Sequence, residues 1–214
     1  FEKEEREENF HRVERRYGSF TRSFTLPNTV DSDSVSANYE NGVLRIELLK
    51  RAIQRDKIAH SYLFLGNEGI GKKWVALQFA KALNCLDEGV ERGDACDHCL
   101  SCKKIDHALH PDVLLIEPIG QGIKKEQVIQ MQKELAYKPY EGKRRVCILT
   151  AADRMAHDIP NTLLKTLEEP PLHTVIILLA NSSRFILPTI LSRCQPIRFN
   201  PLPVSLVSKW LMDG

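Results

Sequence analysis

The sequence predicts an α/β fold, in which helices flank a parallel β-sheet that carries a metal-binding insert and follows a short β segment. Three observations lead to this prediction. An apolar run is followed by a glycine-rich loop and an amphipathic helix, strand-like runs alternate with helical stretches beyond that loop, and four cysteines cluster between the first helix and the second of these strands. Strands that alternate with helices form parallel sheets whose faces the helices cover.

The composition suits a globular protein. The chain has 214 residues, 43% of them hydrophobic, and a formal net charge of +2, so it can form a core and has no strong overall field. No apolar run reaches the ~20 residues that a membrane helix needs, and the charged first residues differ from a signal peptide. We therefore expect a cytoplasmic protein without a membrane partner, and a fragment of a longer protein.

Residues 1–50 differ in pattern from the rest of the chain. Residues 19–26 and 43–49 alternate as half-buried strands do, and residues 40–42 supply a turn, so a hairpin or meander is predicted. Several residues here resemble the later half of the α-crystallin domain of small heat-shock proteins: Leu26, Pro27, Ala37, Tyr39, Asn41, Gly42, Val43 and Leu44. The resemblance implies a partial α-crystallin-like β segment over residues 1–47, and a vestigial or artificially joined segment is preferred over a working chaperone domain.

A helix is predicted from Leu48, because its apolar residues share one face: Leu48, Leu49, Ala52, Ile53 and Ile58. The apolar run 62–65 then leads into a loop with the spacing G-x-x-x-x-G-K. In such a loop backbone N–H groups wrap a phosphate and the lysine caps its outer oxygens. The predicted phosphate-binding residues are Gly66, Gly69, Gly71 and Lys72. The next helix has the apolar stripe that this motif requires: Val75, Ala76, Phe79, Ala80 and Leu83.

The loop lacks groups that nucleotide hydrolysis needs. Lys73 stands where a hydrolysing loop has a Ser or Thr hydroxyl that binds magnesium. Thr150 and Ala151 end the third predicted strand, where a working ATPase has one acid for the metal and a second that activates water. The first acid, Asp153, is predicted to be a helix N-cap. We expect no hydrolysis here, whereas ATP binding without turnover stays open because anion capture needs no metal.

Further strands are predicted at residues 113–117, 145–149, 175–180 and 196–199, with helices at 124–137 and 161–167. Cys147 and Cys194 lie in or beside apolar runs and are expected in the core. His107 and His110 are expected at a helix end and in a loop, without a functional role.

Four cysteines have the spacing C-x10-C-x2-C-x2-C: Cys85, Cys96, Cys99 and Cys102. Three thiolates from one tight turn and a fourth from the preceding helix end can complete a tetrahedral structural zinc site. An iron–sulfur cluster is the alternative for this spacing, and His98 could replace a cysteine. Zinc is the preferred interpretation, and it would hold together an insert over residues 85–102 that has no core of its own.

The last motif is an arginine just before the final strand, in the run Leu187-Pro188-Thr189-Ile190-Leu191-Ser192-Arg193-Cys194. Taken alone, Arg193 predicts a surface ion pair. Residues 61–203 as a whole resemble the AAA+ domain of bacterial DNA polymerase III clamp-loader subunits in the phosphate loop, the cysteines, residues 163–171 (LLKTLEEPP) and Ser192-Arg193-Cys194. Within that family they look most like delta-prime subunits, since gamma/tau subunits keep the hydroxyl and acids that are missing here.

The resemblance implies a P-loop AAA+ domain over residues 48–203 and the start of a lid domain at 204–214. It implies that Arg193, next to Ser192, is an arginine finger that acts in trans at the ATP site of a neighbouring subunit. The implied partners are gamma/tau and delta subunits, the sliding clamp and primed DNA, within a DNA polymerase holoenzyme to which this chain adds no ATPase or polymerase chemistry of its own. Residues 103–104 and 143–145 are candidates for contact with DNA. The alternatives are a gamma/tau-type ATPase and a chaperone fusion.

Overall fold

The computed structural model describes residues 37–40, 43–120, 122–155 and 159–200, all within one unit, Ser34–Gly214. The predictions for residues 19–26, for the turn at 41–42 and for a lid at 204–214 lie outside the described residues. The elements are β1 (Ala37–Glu40), β2 (Val43–Ile46), α1 (Glu47–Gln54), β3 (Ser61–Leu65), α2 (Lys72–Asn84), α3 (Leu100–Asp106), β4 (Val113–Ile116), α4 (Lys125–Leu135), β5 (Arg145–Leu149), α5 (Ile159–Glu168), β6 (Thr174–Ala180), α6 (Pro188–Leu191) and β7 (Gln195–Arg198).

The first two strands pair with each other, and the first of them, β1, is a strand that the sequence analysis did not predict. β1 and β2 pair antiparallel, with Ala37 opposite Ile46. The prediction that the second strand runs to residue 49 is wrong, because β2 ends at Ile46 and α1 starts at once. Leu49 and Ile53 explain why the chain forms a helix here instead of a longer strand. The two residues are four positions apart, so they lie on one face of the helix, and both are buried in the core.

The main sheet has five parallel strands in the order β4-β5-β6-β3-β7. The four strands predicted after the phosphate loop and the helices between them are confirmed to within two residues at each end. Every residue of the central strands β3 and β6 is buried, as expected for strands covered on both faces. No helix in the described part of the chain is both long enough and apolar enough to span a bilayer.

Alternation along β3 divides the core into two layers. Leu63 and Leu65 pack with the side chains of α4 and α5 on one face, whereas Tyr62 and Phe64 pack with those of α1 and α2 on the other. Cys147 and Cys194 are buried in the first layer, which confirms their expected place in the core. Burial raises the pKa of Cys147 to about 12 and that of Cys194 to about 11, so both thiols stay protonated and unreactive at neutral pH.

The parallel strands give the sheet two chemically different edges. The carboxyl ends of β3 and β6 lead into the phosphate loop and into Asn181. Glu168 and Arg193 lie just before the amino ends of β6 and β7, at the opposite edge. The five residues of β3, at about 3.3 Å each, separate the two edges by about 16 Å.

Candidate functional site

The glycine-rich loop has the backbone geometry that its spacing predicts. A Cβ on Gly66 would lie 2.6 Å from the carbonyl oxygen of Phe199, so glycine lets the loop pass directly against the end of β7. Gly69 and Gly71 have φ values of 78° and 94°, a region that glycine adopts without strain. Gly71 is also the N-cap of α2, so the loop ends at a helix N-terminus, where backbone N–H groups can face an anion.

Lys72, the predicted phosphate ligand, is buried and folded back onto its own loop. Burial lowers the pKa of its ammonium group, while the negative charges of Asp153 and Glu68 act in the opposite direction. The ammonium donates to three acceptors, namely the carbonyl oxygens of Gly66 (2.5 Å) and Asn67 (2.7 Å) and Oδ1 of Asn181 (3.1 Å). An ammonium group has three N–H donors, so a phosphate would have to displace one of these contacts.

The positions that should hold magnesium offer no suitable ligands. Lys73 forms an ion pair of 2.8 Å with Glu117, at the end of β4. The hydroxyl of Thr150 donates to the carbonyl of Ile116 at 3.1 Å, and Ala151 has only a methyl group. An ammonium cation, an engaged hydroxyl and a methyl group are a poor donor set for magnesium, which prefers carboxylate and free oxygen ligands.

Asp153 is not the helix N-cap that the sequence suggested. It lies inside a one-turn 3₁₀ helix, Ala152–Arg154, whose N-cap is Ala151. Its Oδ2 instead accepts a hydrogen bond from the backbone N–H of Asn181 at 3.1 Å, while Oδ1 is buried and has no hydrogen-bond partner among the residues that the structure describes. The carboxylate thus ties the ends of β5 and β6 together beside Lys72.

Sequence reasoning missed Asn181, although a signal was present. It is the first polar residue after the seven buried residues of β6. The carboxyl ends of β3 and β6 are adjacent because these strands pair in register, with Leu65 opposite Ala180. The amide therefore reaches Lys72 across the sheet edge.

The four predicted metal ligands come together. The sulfur atoms of Cys85, Cys96, Cys99 and Cys102 all lie within 4.8 Å of one another, and all four thiols are free. Cys99 is the N-cap of α3, and its sulfur accepts the N–H of Cys102 at 3.4 Å. Burial opposes its ionisation, but N–H groups of Cys102 and Leu86 outweigh burial and lower the pKa of the Cys99 thiol to about 6. Four soft donors at this spacing fit a tetrahedral zinc ion.

His98 is not needed to complete this set. Its Nδ1 lies 2.7 Å from the carbonyl oxygen of Cys96, and its Nε2 lies 3.0 Å from a carboxylate oxygen of Asp87. His107 is the exposed C-cap of α3, and His110 lies in the following loop, both as expected. His110 is buried, and its Nδ1 accepts the N–H of Asp112 at 3.1 Å.

Ion pairs attach the cysteine insert to the sheet's helices. Lys81 of α2, only 3% exposed, contacts Asp97 at 2.8 Å and Asp106 at 2.5 Å. Lys50 of α1 contacts Glu91 at 2.6 Å and Asp94 at 3.2 Å. These ion pairs link the insert and the helix that follows it to α1 and α2.

Most basic residues proposed to contact DNA are engaged within the chain. Four of the five side chains in the two basic stretches have intramolecular partners: Lys104 with Glu141, Lys143 with the carbonyl of Cys85, Arg144 with Asp56, and Arg145 with the carbonyl of Lys138. These contacts favour a structural role for them.

Arg193 lies at the amino edge of the sheet, away from the phosphate loop. Its Nη1 donates to the carbonyl of Thr189 at 2.8 Å and to Oγ of Ser192 at 3.2 Å, and its Nη2 lies 2.7 Å from Oε1 of Glu168. The backbone carbonyl of Arg193 also accepts a bond of 2.7 Å from the Ser61 hydroxyl at the start of β3. The ion pair expected for this arginine is present, and the strand β3 separates it from Lys72.

The chain is similar in sequence to known subunits of DNA polymerase III. The subunit delta' of DNA polymerase III from Bacillus subtilis is 38% identical over 168 residues, which are 78% of this chain and 50% of that protein. The subunit tau/gamma from Haemophilus influenzae is 32% identical over 166 residues, 78% of this chain and 24% of that protein. The chain thus spans half or less of the length of these relatives.

A solved structure is also similar. The DNA polymerase III gamma subunit-related protein of Thermotoga maritima matches with a TM-score of 0.55 and 25% identity, over 76% of this chain and 47% of that one. Residues 1–60 match the model of the Hsp20/alpha crystallin family, which confirms the resemblance noted for the first segment. Residues 44–203 match a model of another family, so the chain belongs to the family described as DNA polymerase III, delta subunit.

Proposed function

We propose that this chain is the AAA+ part of a delta-prime-type clamp-loader subunit, which does not hydrolyse ATP and supplies Arg193 to the ATP site of a neighbouring gamma/tau-type subunit. The AAA+ domain extends over residues 48–203 and a lid domain starts at 204–214. The assembly, which also contains delta, loads the sliding clamp onto primed DNA in the cytoplasm. Family membership and the delta' relative support the proposal.

The position of Arg193 is the observation that carries the proposal. An arginine finger must reach a transferred phosphoryl group, yet about 16 Å separates the sheet edge of Arg193 from the edge of its own phosphate loop. An arginine side chain is much shorter than that distance. This distance supports a role of Arg193 at a site in another subunit rather than at its own loop, and the hydrogen bond to Oγ supports a role of Ser192 in holding the guanidinium.

The composition of the loop supports the absence of hydrolysis by this chain. Lys73 pairs with Glu117, and the strand that should end in two acids ends in Thr150 and Ala151. Catalysis of phosphoryl transfer consists mostly of positioning and charge stabilisation by magnesium and cationic residues. Without magnesium ligands the loop can bind a nucleotide only through Lys72 and the backbone amides.

The cysteine insert adds a structural metal to this proposal. Cys85, Cys96, Cys99 and Cys102 would hold zinc without an open coordination position, so the ion would stabilise the insert and take no part in chemistry.

The test replaces Arg193 by alanine in a clamp loader assembled with the polypeptide that carries these residues. Loss of an arginine finger should slow ATP hydrolysis by the partner by about 10³-fold or more, with the same complex recovered on gel filtration. Arg184→Ala, which removes an exposed arginine from a neighbouring 3₁₀ turn, is the control and should leave the rate unchanged. A normal rate in the Arg193→Ala complex would refute the proposal.

The gamma/tau-type ATPase is the second candidate, favoured by the tau/gamma relative and the gamma subunit-related structure. It predicts magnesium-dependent release of phosphate from ATP by this chain without its partners. Such activity, if it also disappears in Lys72→Ala, would establish the second candidate in place of the first.

A further inference from the structure

The Arg193 guanidinium is held by three contacts of different origin. The acceptors Thr189 O and Ser192 Oγ belong to the same short turn as the arginine. Glu168 comes from α5, and among the described side chains it alone ties the guanidinium to another part of the fold. The contact with Glu168, at 2.7 Å, is also the shortest of the three.

Helix stability does not explain a glutamate at position 168. Glu168 is the last residue of α5, and a negative charge is unfavourable at a helix C-terminus, where the unpaired carbonyl groups already carry partial negative charge. An ion pair between partly exposed side chains also adds little to folding stability. Among the described residues, the contact with Arg193 is the interaction that the structure shows for the Glu168 side chain.

The arginine is fixed and yet accessible. A guanidinium group has five N–H donors. Two of them, on Nη1, donate to Thr189 and Ser192, and Nη2 forms the ion pair with Glu168. The side chain is 35% exposed, so an arginine held in this way still has N–H groups that can donate to phosphate oxygens of another molecule.

We infer that Glu168 is the positioning residue that holds the Arg193 guanidinium in the orientation in which it meets the neighbouring subunit's ATP. This inference rests on the proposed function. Arginine side chains have many rotamers, and a misplacement of about 1 Å at a reacting centre can cost about 100-fold in rate. A contact from a second element restricts the guanidinium to one orientation before the subunits dock.

The test measures ATP hydrolysis by the assembled clamp loader with Glu168→Ala. Its kcat should fall about 10-fold, because the guanidinium is correctly placed for a smaller fraction of the time. Its KM for ATP should not change, because an arginine finger acts on the transition state. Glu168→Gln keeps an oxygen acceptor at the same place and should restore most of the rate. Glu169→Ala removes the adjacent exposed acid of the same helix end and should have no effect.

A double variant separates positioning from a structural role. If Glu168 acts only through Arg193, adding Glu168→Ala to Arg193→Ala should cause no further loss of rate. A further loss would overturn the inference, as would an unchanged or increased kcat in the single variant Glu168→Ala. Thermal unfolding of each variant checks the fold. If the alanine variant does not fold, Glu168→Lys at this exposed position gives the result, because its ammonium group repels the guanidinium: its kcat should fall at least as far, and a normal kcat overturns the inference.

The two hypotheses fail in different ways. A normal rate with Arg193→Ala would overturn the proposed function together with this inference. A slow Arg193→Ala complex next to a normal Glu168→Ala complex would overturn only the role of Glu168.

Discussion

Replacing Asp112 by asparagine should lower the free energy of unfolding by about 3 kcal/mol, because this carboxylate anchors the loop between α4 and β5. Asp112 precedes β4 and is completely buried. Its Oδ1 accepts the N–H of Tyr140 at 2.7 Å, and its Oδ2 accepts those of Glu141 at 2.8 Å and Gly142 at 2.7 Å. Arg145 lies 3.5 Å from Oδ1.

The magnitude follows from these contacts. Asparagine can turn its carbonyl oxygen towards Glu141 and Gly142, but both bonds then lose their charge assistance, at about 1 kcal/mol each. Its NH₂ group then faces the N–H of Tyr140, so that bond is lost at a further cost of about 1–2 kcal/mol. The sum is about 3 kcal/mol, which lowers Tm by about 6–12 °C in a chain of this size.

The effect should depend on pH in a defined direction. Burial alone would raise the pKa of Asp112, but the N–H groups of Tyr140, Gly142 and Glu141, with Arg145, outweigh burial and lower this pKa. A carboxylate with a lowered pKa contributes its full stabilisation above its unfolded-state pKa, about 3.9, and loses it as the pH falls through the folded-state value. The difference between wild type and Asp112→Asn should therefore shrink in acid.

Urea unfolding of both proteins at pH 7 and at several lower pH values measures this difference. The exposed acid Glu88 provides a control, since Glu88→Gln should change the free energy of unfolding by less than about 0.5 kcal/mol. A loss below about 1 kcal/mol for Asp112→Asn at pH 7, or a difference that grows in acid, would refute the assigned anchoring role.

Two further predictions concern the cysteine insert and the phosphate loop. Metal analysis under reducing conditions should find one zinc ion per chain. Cys99→Ser should strongly reduce the zinc content, whereas the control Cys147→Ala, which lies outside the cluster, should leave it unchanged. A folded chain without metal would contradict the Cys₄ site. Gly66→Ala should destabilise the fold by about 2 kcal/mol in thermal unfolding, because its Cβ would lie 2.6 Å from the Phe199 carbonyl. The control Gly89→Ala should be tolerated, because the atom nearest to its added Cβ, 3.2 Å away, belongs to the side chain of Asp87. Equal losses of stability in the two variants would show that the close packing of Gly66 is unimportant.

Predictions that rest on neighbouring residues were mostly confirmed. The strand–loop–helix unit around Gly66 and Lys72, the later strands and the clustering of the four cysteines follow from local spacing and hydrophobic periodicity. The errors occurred where a local pattern allowed two interpretations. The alternation after Val43 resembled a longer strand, but burial of Leu49 and Ile53 favoured a helix. Asp153 resembled an N-cap because its partner Asn181 is distant in sequence.

The sequence by itself determined the parallel α/β fold, the glycine-rich loop whose flanking positions lack magnesium-binding side chains, and the set of four thiols, because each depends on residue types at short, regular spacings. Only the tertiary structure decided that Lys72 is bonded to Asn181, and that Arg193 stands at the opposite sheet edge from its own loop in contact with Glu168. These pairs form when strands and helices far apart in the chain pack side by side, and the geometry of that packing is not contained in any local pattern.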